Sequence, residues 1–230
     1  IGIVMDPIGS IKIAKDSTFA MMLAAKNRGW RVHYMELSDL FMTADRSRAR
    51  MREIEVVDDS DGWYRFISEE TRALDSLPVV LMRKDPPFDM EYIYATYLLE
   101  QAQHRGTWVV NDPRSLRDAN EKVFTAHFPQ CCPPTLITRR RTDIEEFLSE
   151  HGDIILKPLG GMGGFSIFRV TAGDPNFNVI VESLTGRGER FCMAQRFIPE
   201  IADGDKRILL VDGEPVPYAL ARIPKPGETR

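Results

Sequence analysis

Short apolar runs alternating with amphipathic stretches organise this chain. Ile1–Met5 and Arg31–Met35 are apolar enough for buried strands, and between them Phe19, Met22, Leu23 and Ala25 recur at helical spacing. Asp16 or Ser17 is placed to cap that helix, Lys26 and Arg28 fall in its last turn, and Gly29 closes it. Strand, helix, strand predicts a βαβ unit and with it an open parallel sheet. Pro78–Met82 predicts the next buried strand, followed by a helix from Asp89 to Arg105, a stop at Gly106 and a strand at Trp108–Asn111. The stretch Thr43–Gly62 shows no clear period and predicts an excursion from the sheet. Within it Arg46, Arg48, Arg50 and Arg52 alternate as on the solvated face of a strand, and acidic Asp58, Asp59 and Asp61 follow.

Beyond Asn111 the order of elements changes. Asn111-Asp112-Pro113 predicts short helical turns, and Asp118–Lys122 leads into an amphipathic helix through Val123, Phe124, Ala126 and His127. Pro129, Pro133 and Pro134 break the pattern. A strand at Thr135–Ile137 and a helix at Thr142–Glu150 follow, with Thr142 and Glu145 as a capping box and Gly152 as the stop. After a glycine-rich hairpin come a helix near Asn178–Leu184 and a strand at Phe191–Gln195. Asp212-Gly213, between Arg207–Val211 and Val216–Ile223, is a hairpin signal. The expected fold class is α/β followed by α+β. Residues 1–119 read as a doubly wound domain and residues 120–230 as an antiparallel sheet with helices on one side.

Composition narrows the function classes. At 230 residues and 26.2 kDa, with 43% hydrophobic and 28% charged residues, the chain suits one large or two modest globular domains. A net charge of −4 gives no reason to expect nucleic acid or an anionic membrane as partner. Cys131, Cys132 and Cys192 form neither a disulfide framework nor a zinc spacing, which favours a reducing compartment. No apolar run approaches the ~20 residues that span a bilayer, and no signal peptide is recognisable, so the expected location is the cytoplasm. Because the chain opens on Ile1, at least one residue is expected to precede it.

The densest chemistry lies in Asp153-Ile-Ile-Leu-Lys157-Pro-Leu-Gly160-Gly161-Met162-Gly163-Gly164-Phe-Ser166-Ile-Phe-Arg169-Val. Glycines let backbone N–H groups approach a ligand, successive N–H groups make an anion-binding concavity, and the lysine adds a mobile charge. A P-loop would carry its lysine after the glycines, and a dinucleotide fingerprint would lead into a helix. Here the lysine comes first and Ser166–Val170 alternates like a strand. The pattern predicts a flexible hairpin that folds over phosphates, with a plain glycine-rich hairpin as the alternative. Arg83, Lys84 and Asp85 follow the strand at Pro78–Met82, where open α/β sheets bind ligands. A salt-bridged loop stiffened by Pro86 and Pro87 is the other reading.

Asn120-Glu121-Lys122, the hairpin with Lys157, the strand Cys192–Pro199 and Asp205-Lys206-Arg207 together resemble the ATP-grasp fold. Within it, Met82–Asp89, Ile155–Gly164, Asp205–Arg207, Asp212–Pro217 and Ala221-Arg222-Ile-Pro resemble the prokaryotic glutathione synthetases, almost from end to end. The resemblance implies a pre-ATP-grasp domain for substrate binding and oligomerisation, then an ATP-grasp domain whose C-terminal part lies outside this chain. It implies ligation of γ-glutamylcysteine to glycine through an acyl phosphate, with ATP as co-substrate, magnesium as metal with manganese able to substitute, and a homotetramer.

Carried over by resemblance, Lys122 and Lys157 would contact the α- and β-phosphates, under a cover of Gly160, Gly161, Met162, Gly163 and Gly164. Gln195, Phe197 and Ile198 would meet adenine and Asp205 the ribose. Arg207, Arg222 and Arg230 would hold carboxylates and the acyl phosphate, and Arg83 would bind the dipeptide. The metal ligands would lie beyond Arg230. Other readings remain open at this point: another ATP-grasp carboxylate–amine ligase, an ATP-binding module without chemistry, or structural ion pairs for Arg207 and Arg222. A Rossmann oxidoreductase lacks its fingerprint after Ile1–Met5, where Asp6-Pro-Ile-Gly-Ser10 stands instead.

Overall fold

The structure, a computed structural model, describes residues 1–44, 46–59, 61–211 and 213–224. The backbone divides into two compact units, Ile1–Asn120 and Glu121–Arg230.

In the first unit, β1 (Gly2–Val4), β2 (Val32–Met35), β6 (Val79–Met82) and β7 (Trp108–Val110) run parallel, with β1 between β2 and β6 and β7 beyond β6. The sheet is covered on both faces, so successive residues of β1 enter different cores. Ile3 packs with Phe19, Met22 and Ala25 of α1 (Ser17–Asn27), and Val4 joins the cluster containing Tyr92, Ala95 and Leu99 of α2 (Met90–His104). This is why the central strands read as continuous apolar runs. Both helices start on an aspartate cap: Asp16 accepts from the Phe19 N–H at 2.8 Å and Asp89 from the Tyr92 N–H at 3.0 Å. Each such cap contributes about 1 kcal/mol.

The stretch expected to leave the sheet extends it instead. β3 (Leu40–Thr43), β4 (Arg46–Val56) and β5 (Tyr64–Ala73) are antiparallel, and β4 pairs with β2. Ser47, Ala49, Met51, Ile54 and Val56 point inward, while Arg46 and Arg50 are exposed. The arginine alternation was thus the outer half of a strand. A shift of register between Glu53 and Ile54 interrupts the period of two and hid the strand's full length.

The second unit holds a four-stranded antiparallel sheet in the order β10 (Phe168–Thr171), β9 (Asp153–Pro158), β11 (Cys192–Arg196), β8 (Thr135–Thr138). Helices α4 (Arg141–His151) and α5 (Phe177–Thr185) cover one face, burying Ile144, Leu148, Ile180, Val181 and Leu184 against Ile154, Leu156, Val170, Cys192 and Ala194. A separate antiparallel ribbon, β12 (Asp205–Val211) with β13 (Glu214–Arg222), completes the described part. The Asp212 of the expected hairpin lies outside the described residues.

Two local expectations are corrected. No amphipathic helix follows Lys122. The chain forms the short α3 (Pro113–Asp118) and 3-10 turns at Val123–His127 and Pro129–Cys131, with Pro129 preventing continuation. Nor does Thr142 cap a helix: α4 begins one residue earlier, so Thr142 lies inside the first turn. Arg140 occupies the cap position without a side-chain bond, and Glu145 pairs with Arg141 at 2.7 Å. Among the described residues no helix is long and apolar enough to cross a membrane.

Leu156 is fully buried in the core of the second unit. Leu156→Ala is expected to lower stability by about 2–5 kcal/mol, read by urea unfolding; a loss within about 0.5 kcal/mol, typical of a surface position, would show that β9 does not carry this core.

Candidate functional site

The period of two along β9 builds the site. Ile154 and Leu156 enter the core, so Ile155 and Lys157 face the other way. On the neighbouring strand, Gln195 pairs in register with Ile155 and the buried Met193 with Lys157. The Lys157 ammonium donates to Gln195 Oε1 at 2.6 Å, and Gln195 Nε2 donates to the Thr135 hydroxyl on β8 at 2.8 Å. Three strands therefore hold one amine. Burial, and then the charge of Lys122, push the Lys157 pKa below the ordinary lysine value, with Cys132 acting weakly in the opposite sense.

Lys157 opens into a cavity of about 980 Å³. One part of its wall is apolar: Ile155, Ile167, Phe197, Ile198 and Ile201. The other part is charged: Asp205, Arg207 and Arg222, with Gly163 and Gly164 at the edge. An apolar slot beside convergent cations suits a ligand with a flat ring at one end and anionic groups at the other. The Phe197 ring is fixed rather than loose. Its backbone N–H donates to Asp153 O at 3.0 Å, and the Arg169 guanidinium lies 3.8 Å from the ring centroid while forking onto Asp153.

The glycine run behaves as a hairpin loop. β9 and β10 pair antiparallel from Leu156–Phe168 to Asp153–Thr171, so the second strand starts at Phe168, two residues after Ser166. Gly163 and Gly164 have φ of 67° and 79°, values that β-carbon-bearing residues adopt at a cost. Met162 is exposed, and neither it nor Gly160 or Gly161 lines the cavity.

Lys122 stands at the base of the glycine loop. Its ammonium donates to the carbonyls of Leu159 at 3.0 Å and Gly161 at 2.7 Å, and to Glu121 at 3.0 Å. It anchors the base of the glycine loop and is absent from the lining of the cavity.

The charged wall is already paired in part. Arg222 forks onto Asp205 across the ribbon, Nε lying 2.6 Å from Oδ1 and Nη2 donating to Oδ2. The Asp205 carboxyl is held below the usual carboxylate range by this bond, with Arg207 a smaller influence. Gly204, at φ 94°, makes the pairing possible: a β-carbon there would stand 2.5 Å from the Arg222 carbonyl oxygen. Arg230 lies outside the described residues. Arg83, in the first unit, donates to the hydroxyls of Thr18 at 3.1 Å and Ser17 at 2.9 Å, at the carboxyl end of β6. Beside it Lys84 bridges to Asp6 at 2.8 Å, which ties the loops after β1 and β6 together.

Ile155, Ile167, Ile201, Thr135 and Arg169 belong to the site without having been singled out. Ile155 was findable, since alternation along β9 puts it on the face of Lys157. Arg169 was not, because its role depends on strand pairing.

The chain matches the family model of the prokaryotic glutathione synthetase N-terminal domain over residues 1–117 and that of the prokaryotic glutathione synthetase ATP-grasp domain over residues 121–230. It is 60% identical over its whole length to the glutathione synthetase of Vibrio cholerae and 61% identical to that of Yersinia pestis, covering 72% of each. Among solved structures it is similar to D-cycloserine synthetase (TM-score 0.60, 14% identity, 98% of this chain and 72% of that one). It is also similar to an ATP-grasp RimK domain protein from Sphaerobacter thermophilus (TM-score 0.58, 17% identity, 91% and 69%). At such identities these two speak for the fold alone.

The anchoring geometry of Lys122 separates it from Lys157. Lys122→Met removes the donor to two loop carbonyls, so amide exchange across residues 159–164 is expected to accelerate, whereas Lys157→Met leaves that exchange nearly unchanged. Equal exchange in both variants would show that Lys122 does not anchor the loop.

Proposed function

The chain belongs to the family of prokaryotic glutathione synthetases, and we propose that it carries their reaction, the ATP-dependent joining of γ-glutamylcysteine and glycine into glutathione. The observation that carries this reading is the 60% identity over a span of all 230 residues, within which the cavity around Lys157 lies. The substrates are small molecules, and a free-thiol chain without a membrane-spanning helix among its described residues fits work in the cytoplasm.

The chemistry sets what these residues must do. A carboxylate repels an incoming amine, so the γ-phosphoryl group of ATP is first transferred to the cysteine carboxylate of the dipeptide. ADP leaves. The neutral amine of glycine then attacks the acyl phosphate, phosphate departs with the C–O bond electrons, and the amine's surplus proton passes to solvent. Little of this needs covalent help from protein; positioning and charge neutralisation dominate. In this reading Lys122 and Lys157 contact the α- and β-phosphates, Lys122 from the base of the glycine loop. Gly160–Gly164 close over them on a base fixed by Lys122, with Met162 at the tip. The backbone of Gln195–Ile198 meets adenine, with Phe197 and the isoleucines flanking the ring.

Asp205 takes the ribose hydroxyls, which frees Arg222 to join Arg207 at the carboxylate and the acyl phosphate. Guanidinium forks suit both planar oxyanions. Arg83 binds the dipeptide, and Arg230 completes the arginine set. Divalent magnesium, or manganese, spreads charge over phosphoryl oxygens in such transfers. Among the described residues no group of three or more His, Cys, Asp or Glu side chains is placed to hold a metal, and no step through the metal is assigned to them. A homotetramer belongs to the same reading; the outward Met90, Tyr94 and Tyr97 of α2, 53%, 52% and 47% exposed, offer apolar surface for it.

In the complete enzyme, Lys157→Ala should weaken binding of a nonhydrolysable ATP analogue by about tenfold or more, as loss of a charge-assisted contact implies, with the thermal midpoint nearly unchanged. Unaltered affinity would remove the loop and its lysine from the reading. The pH dependence follows from the lowered pKa. Phosphate binding needs the ammonium form, so affinity should fall as pH rises through a value below the ordinary lysine range. Lys157→Arg, charged throughout, should flatten that fall; an equal fall in both proteins would assign it to another group. Arg222→Ala should raise KM for the dipeptide or lower kcat while leaving ATP affinity within about threefold, a sub-kcal/mol change. Loss of stability alone would make Arg222 a structural partner of Asp205.

A further inference from the structure

A second cavity, of about 530 Å³, lies where the start of α4 meets the end of α5, and it shares no lining residue with the cavity around Lys157. Arg139, Arg140, Arg141 and Arg187 line it against one carboxylate, Glu182, and its base is formed by the buried Val181 and Thr185. The concentration of positive charge contrasts with a chain whose net charge is −4. These arginines are neutralised only in part by carboxylates. Arg141 pairs with Glu145 at 2.7 Å, Arg140 approaches Asp143 no closer than 3.8 Å, and Arg139 rests over the Phe191 ring at 5.5 Å. Among the described residues Arg187 has no ion pair, and its backbone is held at φ 60° between Gly186 and Gly188.

The backbone adds to the same field. α4 runs for 11 residues and its cap position, Arg140, supplies no side-chain acceptor. Asp143, which could have turned back onto the first amides, accepts instead from the Thr138 hydroxyl at 2.6 Å. Among the described residues the N–H groups of Arg141, Thr142 and Asp143 have no acceptor, so the positive end of the helix opens beside the four guanidinium groups. Guanidinium forks and free helix amides both favour tetrahedral oxyanions. The volume falls within the range of small-ligand sites, and four separated cations match several linked phosphates better than one.

We propose that this cavity is a binding site for a linear oligophosphate, either free or as the phosphate chain of a nucleotide, separate from the site around Lys157. Arg140 and Arg187 grip the chain from opposite sides, Arg139 and Arg141 stand pre-ordered by Phe191 and Glu145, and the first amides of α4 receive one terminal phosphate. Glu182 excludes a ligand that is anionic all round and leaves room for a hydroxyl-bearing end.

The test uses the complete protein and calorimetry. A nonhydrolysable ATP analogue is titrated first, and inorganic tripolyphosphate is then titrated into the nucleotide-saturated protein. Two nucleotides per chain identify a nucleotide site; one nucleotide followed by tripolyphosphate binding identifies a free-oligophosphate site. Either result, weakened about tenfold or more in the Arg140→Gln/Arg187→Asn variant, supports the proposal. Asparagine tolerates the left-handed backbone at residue 187, and circular dichroism checks the fold. Arg28→Gln/Arg65→Gln removes the same charge elsewhere and should leave this binding intact. One nucleotide per chain with no subsequent tripolyphosphate binding overturns the proposal, as does equal weakening in both double variants. Because the first nucleotide reports on the Lys157 cavity, failure there is distinguishable from failure here.

Discussion

The second unit depends on β9 serving two environments at once. Ile154 and Leu156 hold α4 and α5 to the sheet, and the residues that follow each of them, Ile155 and Lys157, form a wall of the cavity on the opposite face. Binding and folding thus share a strand while using alternate side chains. A slip of one residue would exchange the lysine for leucine and abolish core and site together. The pairing to β11 prevents that slip, and Gln195 adds a side-chain bond in the same register.

Charge pairing in the free protein sets how the cavity can respond to ligand. Arg222 and Asp205 face solvent and neutralise each other, so neither enters binding without giving up the other. Such an exposed pair is worth little in stability, commonly under ~1 kcal/mol. Breaking it therefore costs the fold little, and each partner so released needs a new polar contact. Lys157 differs. Its partner is a neutral amide and it is partly buried, so its charge is not offset by a carboxylate.

Much of this was legible along the chain because local rules and tertiary packing agreed. The first βαβ unit followed from Ile1–Met5, the cap at Asp16 and the stop at Gly29. The glycine hairpin followed from glycines between two alternating runs. What escaped did so for physical reasons. β4 was masked by charged residues on one face and by its register shift at Glu53–Ile54. The 3-10 turns after Lys122 read as a helix because Val123, Phe124 and His127 keep helical spacing, yet tertiary bonds from Lys122 and the proline at 129 outweigh that preference. At the site, apolar Ile167 and Ile201 look like core residues, and only their position over a cavity changes their meaning.

The two lysines show why residue type and motif position alone fall short of assigning a role. Both are cations near a glycine loop, and each pushes against the other electrostatically. Lys122 meets carbonyl oxygens and holds the glycine loop through them. Lys157 meets a single amide oxygen and faces open space. The division lets the loop stay rooted at its base while its glycines at 163 and 164 supply the turn.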